Sequence, residues 1–188
     1  MAPIYQLRID LAGAKPPIWR RILISSVDTL YDLHCAIQNA MGWTNSHLHS
    51  FESGDSSYGM ADVEDEFDEF ETLDEKRYTI AHLLSYEGDT LLYVYDFGDD
   101  WEHKIKLEKI ITEKINNPLP RCIKGKNACP PEDVGGLWGY YGMLEVLRDP
   151  DNPEREEYLE WLGGKFDPEY INLEKINALM SEGCIDFW

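Results

Sequence analysis

The sequence predicts an α+β fold with a mixed or antiparallel sheet. Three observations support this prediction: a hairpin pattern followed by an amphipathic helix at the start of the chain, a second hairpin pattern near its middle, and short helical patterns at its end. Strand and helix patterns do not alternate as βαβ units, so a parallel doubly wound sheet is not expected. The ββαβ opening is compatible with a β-grasp-like arrangement, with one helix packed on one face of the sheet.

The first 42 residues predict two strands and a helix. Residues 4–11 alternate apolar and polar side chains at period two, and residues 18–24 predict a second strand after a turn rich in Gly and Pro. Asp28 or Thr29 is suited to cap a helix whose apolar residues recur at helical spacing, and Gly42 ends it. The opening therefore predicts a ββα unit.

The next part of the chain predicts a strand, an acidic insert and a short helix. Residues 47–51 predict the third strand. Residues 62–75 contain nine carboxylates and no basic residue, which predicts a solvated loop or a partly disordered insert. Thr79 is suited to cap a short helix that extends to Leu84.

The strongest hairpin pattern consists of residues 90–97 and 101–111. A three-residue turn would pair Tyr95 with His103 and place the histidine within an aromatic face. A two-residue loop would instead bring Asp96 diagonal to His103, where its carboxylate could orient the imidazole or share a metal ion with it. The aromatic face favours the three-residue turn.

The last third of the chain predicts a loop and then helices. Residues 116–136 are rich in Pro, Gly and Cys and predict an irregular loop, whereas residues 140–147, 154–161 and 173–180 predict helices bounded by prolines. We therefore expect a single domain over residues 1–188. It would consist of a sheet-plus-helix core at 1–115, the loop at 116–136, and a helical tail at 137–188 packed on the core.

Composition limits the classes of partner. The chain has 188 residues, 43% of them hydrophobic, and a formal net charge of -19 from 17 basic and 36 acidic residues. Such a charge repels nucleic acid and anionic membranes on average, so binding to either would need a local basic patch. The apolar runs are too short to span a membrane and the N-terminus has no signal-peptide pattern, so we expect a soluble cytoplasmic protein.

The four cysteines predict reduced thiols rather than disulfides. Their spacing is irregular, and a chain of this length does not need disulfides to fold. Cys122 and Cys129 have six residues between them, more than the roughly two to four that structural zinc sites use. We expect both to be buried free thiols in a reducing compartment.

The clearest candidate site is segment 96–103, which holds three aspartates, a glutamate and a histidine between two predicted strands. A strand end followed by a tight turn can present polar groups to a ligand on a rigid scaffold. Asp99 and Asp100 are equally suited to form the turn itself, because aspartate hydrogen-bonds its own backbone in turns. Asp96 and His103 fit that explanation less well.

A pair of histidines suggests metal binding. His47 and His49 are two residues apart on a predicted strand and would project from the same face, an arrangement that offers two imidazoles to one metal ion. With Asp96 and His103 they make up the candidate metal-binding set. The alternative is one exposed histidine and one at the edge of the core.

A basic stretch contrasts with the acidic chain. Residues 104–126 contain seven basic and two acidic residues, a local charge of +5. Lys104 and Lys106 would lie on the strand face opposite His103. The stretch is either a patch for a phosphate backbone or an acidic partner, or a solvated face that pairs with the acidic tract at 62–75.

Five segments occur in a recognisable order. They are residues 16–21 (PPIWRR), 42–51 (GWTNSHLHSF), 95–103 (YDFGDDWEH), 129–140 (CPPEDVGGLWGY) and 160–169 (EWLGGKFDPE). Together they resemble the plasmid pRiA4b ORF-3-like family, whose members are largely uncharacterised and accompany plasmids and mobile elements. The resemblance implies no established catalytic residues. The family pattern includes the positions that match His47, Asp96, Asp99, Trp101, Glu102, His103, Glu132 and Asp133.

We interpret the chain first as a binding or interaction module with an acidic, aromatic-walled pocket for a protein, a peptide or a small molecule. The candidate pocket residues are Trp19, Arg20, His47, His49, Asp96, Asp99, Trp101, His103 and Asp133, with Trp43 and Trp138 as further walls. Dinucleotide-binding, Walker, zinc-protease and hydrolase-nucleophile motifs are all absent, so enzymatic activity stays undecided.

Two alternatives remain open. The first is a metal-dependent hydrolase acting on phosphoesters, with a divalent cation as cofactor and Glu102 or Glu132 as the general base. Its metal ligands would be His47, His49, Asp96 and His103. The second is a purely structural network, in which Asp96, Asp99 and His103 brace Arg20 or Arg21.

Overall fold

The computed structural model describes residues 2–60 and 72–184 of the chain. Its strands are β1 Ile4–Leu11, β2 Trp19–Ser25, β3 His49–Ser53, β4 Ser56–Gly59, β5 Thr72–Asp74, β6 Thr90–Tyr95, β7 Trp101–Ile111 and β8 Arg121–Lys126. Its helices are α1 Leu30–Met41, α2 Ile80–Leu83, α3 Gly136–Arg148, α4 Arg155–Trp161 and α5 Leu173–Glu182. The strands form one sheet in the order β5-β4-β3-β6-β7-β1-β2-β8. This mixed sheet with its helices confirms the α+β class, whereas the finer β-grasp-like arrangement is not confirmed.

The predicted ββα opening is present. β1 pairs antiparallel with β2, and α1 begins after Thr29, whose side chain accepts a hydrogen bond from the backbone of Asp32 while the Asp32 carboxylate accepts from the backbone of Thr29. Gly42 ends α1 in the left-handed conformation, at a φ of 88° that costs glycine little. Leu33 and Ile37 of α1 are fully buried in the core, so the apolar face of α1 covers the inner face of the sheet.

The β6–β7 hairpin has a longer loop than either predicted register. Tyr95 pairs with Trp101 and Tyr93 with His103, which leaves residues 96–100 as a five-residue loop. Both predicted registers were therefore wrong. His103 nevertheless lies on the aromatic face that the three-residue turn predicted, because a register shift of two residues keeps every side chain on the same face.

Two predicted loops contain strands. β8 lies within the predicted irregular loop at 116–136 and pairs antiparallel with β2 at the edge of the sheet. The Pro, Gly and Cys content of this segment gave no sign of a strand, because β8 is stabilised by hydrogen bonds to β2, which is distant in the sequence. In the predicted acidic insert, residues 62–71 lie outside the described residues, and Thr72–Asp74 form β5, which pairs parallel to β4.

The C-terminal region is helical, as predicted, and it is covalently tied to the core. Cys35 of α1 and Cys184 after α5 form a disulfide across 149 residues, so the expectation of unpaired cysteines was wrong for this pair. Cys122 and Cys129 are both free thiols, as predicted, but only Cys122 is buried, whereas Cys129 is partly exposed. Within the described part of the chain, no helix is long and apolar enough to cross a membrane.

Candidate functional site

Four segments converge at one end of the sheet. They are the turn that follows α1 at residues 43–46, the residues that lead into β3, the β6–β7 loop, and the segment 129–135 that leads into α3. The Trp43 indole donates a hydrogen bond to the Pro130 carbonyl at 2.9 Å. The Asp96 backbone N–H donates to the Leu48 carbonyl at 2.9 Å. Side chains from distant parts of the sequence are thereby brought within reach of one another.

The centre of this region is a cluster of one imidazole and two carboxylates. His47 Nε2 lies 3.0 Å from Asp133 Oδ1 and 3.6 Å from Asp96 Oδ2. One ligand atom from each of the three residues lies within 4.8 Å of the other two. His47 Nε2 is shielded from solvent, and although Asp133 Oδ1 is within ion-pairing distance, no described residue forms a hydrogen bond of suitable geometry with this nitrogen. We call His47, Asp96 and Asp133 the His–Asp–Asp cluster.

The spacing of the His–Asp–Asp cluster matches a shared cation. If each ligand atom lay about 2.1 Å from a common ion, the separations of 3.0 and 3.6 Å would subtend angles of about 91° and 118° at the ion. The first angle is close to that of octahedral coordination, and the second is somewhat wider than that of tetrahedral coordination. One imidazole and two carboxylates suit zinc, manganese or iron better than they suit calcium.

Both carboxylates project from unusual backbone positions. Asp96 has a φ of 58° and Asp133 a φ of 60°, in the left-handed region where residues other than glycine are uncommon. Asp96 Oδ1 accepts hydrogen bonds from the backbone N–H groups of Gly98 and Asp99, at 3.0 and 3.3 Å. Its Oδ2 is therefore the oxygen that faces His47. Strained positions of this kind concentrate at functional sites.

Glu132 positions the segment that carries Asp133. Its Oε1 accepts a hydrogen bond from the Tyr95 hydroxyl, and its Oε2 accepts from both the backbone N–H and the hydroxyl of Thr44. Burial of Tyr95 and its hydrogen bond to Glu132 raise the pKa of the phenol above its usual value, so Tyr95 acts as a donor. Because both oxygens are engaged, Glu132 is a bracing residue rather than a free general base.

Asp99 joins the β6–β7 loop to the start of α3. Its Oδ2 accepts a hydrogen bond from the Gly135 N–H at 3.0 Å, and its carbonyl oxygen would lie 2.7 Å from a Cβ at Gly136. Two exposed aromatic residues flank this junction along the chain, since Phe97 is 57% exposed and Trp138 is 90% exposed. The exposed aromatic residues on either side of this junction therefore come from the loop and from the first turn of α3.

Two histidines of the predicted metal-binding set lie outside the cluster. His49 is buried, stacks on His34 with ring centroids 3.5 Å apart, and contacts Glu75 Oε2 through Nε2 at 2.8 Å. His103 is fully buried beside Trp43, and burial lowers its pKa to about 4. Of the four predicted ligands, the structure brings together only His47 and Asp96, and it adds Asp133.

The arginines of the structural alternative bind other partners. Arg20 points into the core and donates to the carbonyl oxygens of Ala40, Trp19, Lys126 and Asn127. Arg21 lies on the opposite face and donates to both carboxylate oxygens of Glu108. Neither arginine is bonded to the predicted aspartates, so the proposed bracing by Asp96 and Asp99 is not the arrangement in the fold.

The predicted aromatic walls are mostly core residues. Trp43 and Trp101 are 5% and 1% exposed, and Trp19 is 9% exposed beneath arginine side chains. Only Trp138 among the predicted wall residues is open to solvent. Glu102 is exposed on β7 and points away from the core, on the opposite side of the sheet from His103. The His–Asp–Asp cluster is therefore not lined by the predicted tryptophans.

Comparisons with known proteins identify the family. A model of the plasmid pRiA4b ORF-3-like proteins matches residues 3–175. The chain belongs to the plasmid pRiA4b ORF-3-like family. It is 34% identical over 184 residues to the uncharacterized protein y4hQ of Sinorhizobium fredii, with 97% of this chain and 93% of that protein covered.

A solved structure has the same fold. The crystal structure of MM3350, a protein of unknown function from Methanosarcina mazei Go1, matches with a TM-score of 0.84 and 39% sequence identity. The match covers 93% of this chain and 97% of that one. The fold of the plasmid pRiA4b ORF-3-like family therefore extends over almost the whole chain.

Sequence reasoning missed some residues of the site. Asp133 was predicted as a pocket residue but not as a metal ligand, although the preceding Pro130 and Pro131 indicated a rigid turn. Thr44 and Phe97 carry no signal of their own in the sequence. Their positions depend on contacts between segments that are distant in the sequence, for example the 88 residues between Thr44 and Glu132.

Proposed function

We propose that this protein is a cation-dependent binding module. The observation that supports the proposal is the His–Asp–Asp cluster, in which a solvent-shielded imidazole nitrogen without a hydrogen-bonding partner in the described residues faces two carboxylates. A divalent cation held by His47, Asp96 and Asp133 would have further coordination positions open. An anionic group of a partner would occupy them.

The residues around the His–Asp–Asp cluster favour a binding role over a catalytic one. Phe97, which follows Asp96 in the chain, and Trp138, in the first turn of α3, are exposed aromatic residues, which suit the contact area of a peptide or a small molecule. The formal charge of -19 also raises the local concentration of cations around the protein.

A metal-dependent hydrolase is the second candidate, because three protein ligands with an open position are typical of catalytic zinc sites. It is less well supported, since Glu132 uses both oxygens to hold the loops and Glu102 points away from the cluster. Hydrolysis of bis(4-nitrophenyl) phosphate by the metal-loaded protein, abolished by Asp96→Asn, would favour this candidate over the binding module.

Calorimetric titration with Zn²⁺ and Mn²⁺ tests the proposed cation site. We expect one equivalent to bind to the wild-type protein, and the affinity to fall at least about tenfold, or about 1.4 kcal/mol, in Asp133→Asn and Asp96→Asn. Asparagine tolerates the left-handed backbone of both positions, so the fold should be kept.

Asp151→Asn is the matched control, because Asp151 is an exposed aspartate in a different loop. It should leave the affinity unchanged. A wild-type protein that binds neither ion, or an equal loss of affinity in the Asp151 variant, would contradict the proposed cation site.

A further inference from the structure

The outer face of the sheet gathers basic residues from distant parts of the chain. Arg8 of β1 lies opposite Lys106 of β7 on one side and opposite Arg21 of β2 on the other, and Arg21 lies opposite Lys124 of β8. Because paired residues project from the same face, these four cations form a row across four adjacent strands, spanning about 14 Å. We call the outer side of β7, β1, β2 and β8 the basic face.

Charge is strongly segregated on the basic face. It carries eight basic and three acidic side chains, a net charge of +5 in a chain whose total is -19. Two of the three acidic side chains form ion pairs with arginines of the face, Asp10 with Arg8 and Glu108 with Arg21. Within the described residues, six of the cations have no ion pair: Lys104, Lys106, Lys109, Arg121, Lys124 and Lys126.

Trp19 and Leu23, at the centre of the basic face, are covered, whereas Ile123 of β8 is 37% exposed. The guanidinium groups of Arg8 and Arg21 lie 4.4 and 5.2 Å from the ring centre of Trp19, which is only 9% exposed, and Leu23 is 8% exposed. Protein interfaces depend on accessible aromatic or aliphatic residues at their centre. The centre of the basic face offers neither Trp19 nor Leu23 for that role, and the exposed Ile123 lies on the edge strand β8. A polyanion recognised through its charges needs no such centre.

We propose that the basic face binds the phosphate backbone of nucleic acid without sequence preference. Lysines on a regular strand lattice contact successive phosphates as point charges, and the open sheet leaves room for an extended strand. The acidic remainder of the molecule repels the same polymer, which restricts contact to this one face. The site is separate from the His–Asp–Asp cluster, and the proposal does not depend on cation binding.

The proposal predicts a salt dependence. If all six unpaired cations release counterions, the logarithm of the binding constant falls against the logarithm of salt concentration with a slope of about -4 for a single strand and about -5 for a duplex. Fewer contacts give a proportionally smaller slope. Comparing the affinities for the single strand and for the duplex shows which form of nucleic acid is preferred.

Fluorescence anisotropy tests the proposal. The probes are a labelled oligonucleotide of mixed sequence, about 20 nucleotides long and used as single strand and as duplex, and labelled poly-glutamate of similar charge. The double variant Lys106→Glu/Lys124→Glu should weaken oligonucleotide binding at least about tenfold and reduce the single-strand slope by about 1.4.

The matched control is Lys165→Glu/Lys175→Glu, which changes the net charge equally at exposed lysines of the C-terminal region. It should alter affinity less than about twofold, because neither lysine belongs to β7, β1, β2 or β8. If the glutamate variant fails to fold, Lys106→Gln/Lys124→Gln replaces it and should show a smaller loss in the same direction.

Three results would overturn the proposal. The first is no oligonucleotide binding by the wild-type protein at low salt. The second is an equal loss of affinity in the control variant, which would reflect net charge rather than the basic face. The third is poly-glutamate binding as tightly as the oligonucleotide, which would assign the face to an acidic polypeptide.

Discussion

Removing one hydroxyl group should loosen the loops that carry the candidate site. The Tyr95 hydroxyl donates a hydrogen bond to Glu132 and accepts one from the Ser46 backbone N–H at 3.0 Å. The Tyr95 side chain is fully buried, with its ring stacked on Trp43 at a centroid distance of 5.1 Å. Tyr95→Phe therefore keeps the packing and removes only the two hydrogen bonds.

The size of the effect follows from those two bonds. A hydrogen bond to a charged group contributes about 1.5–3 kcal/mol and a neutral one about 0.5–1.5 kcal/mol. Glu132 is partly exposed, so water can replace part of the hydrogen bonding that its carboxylate loses in the variant. The lower ends of these ranges therefore apply. We expect Tyr95→Phe to lower the free energy of unfolding by about 2 kcal/mol.

Urea unfolding measures this change, with Tyr86→Phe as the control. Tyr86 is 76% exposed, so the control should change the free energy of unfolding by less than about 0.5 kcal/mol. Because Glu132 precedes Asp133, Tyr95→Phe should also weaken Zn²⁺ binding in the titration described above. A loss below about 0.5 kcal/mol in Tyr95→Phe would refute the reasoning that Glu132 holds the two loops together.

Three further predictions concern the fold. Gly136→Ala should destabilise by more than about 1 kcal/mol, since Gly136 has a φ of 64° and a Cβ there meets a carbonyl at 2.7 Å, whereas Gly142→Ala, in an open helical position, should stabilise slightly. The pKa of His103 is about 4 in the folded protein against an ordinary 6.5. As pH falls, the unfolded state therefore binds the proton first. Up to about 3 kcal/mol of the free energy of unfolding is lost as pH falls from 6.5 towards 4. Thiol titration of the unfolded protein should detect two thiols before reduction and four after, and reduction of Cys35–Cys184 should cost about 2–4 kcal/mol.

Each of these predictions has a contradicting result. Equal stability of the Gly136 and Gly142 variants would mean that the start of α3 does not press on the β6–β7 loop. His103→Phe should remove one titrating group and flatten the acid limb of the stability curve. An unchanged acid limb in that variant would assign the pH dependence to other groups. Four titratable thiols before reduction would show that the disulfide does not form.

Local signals were sufficient for much of the fold. The N-cap Thr29, the C-cap Gly42 and the alternation in β1 and β7 act over a few residues, and each was visible in the sequence. β8 was not visible, because its pairing partner is β2, almost 100 residues away. The hairpin register was missed because Asp96 and Asp100 adopt left-handed conformations and lengthen the loop to five residues.

The candidate site shows a similar limit. The sequence pattern placed His47 and His49 on one face of a strand, but β3 begins at His49, and His47 precedes the strand after a turn in which Asn45 has a φ of 59°. Alternation does not extend beyond a strand, so the two imidazoles separate, one to the His–Asp–Asp cluster and one to the buried contact with Glu75. The role of the cluster in binding stays a prediction until the titration is done.

The hydrogen bonds around the His–Asp–Asp cluster also explain how two carboxylates are held near one imidazole. A left-handed backbone costs an aspartate roughly 1 kcal/mol, and like charges repel. The loop N–H groups on Asp96 Oδ1 and the ties from Thr44 and Tyr95 to Glu132 offset that cost within the protein itself. A cation at the cluster would therefore meet ligands that are already in place, and its binding would not be weakened by the cost of ordering the loops.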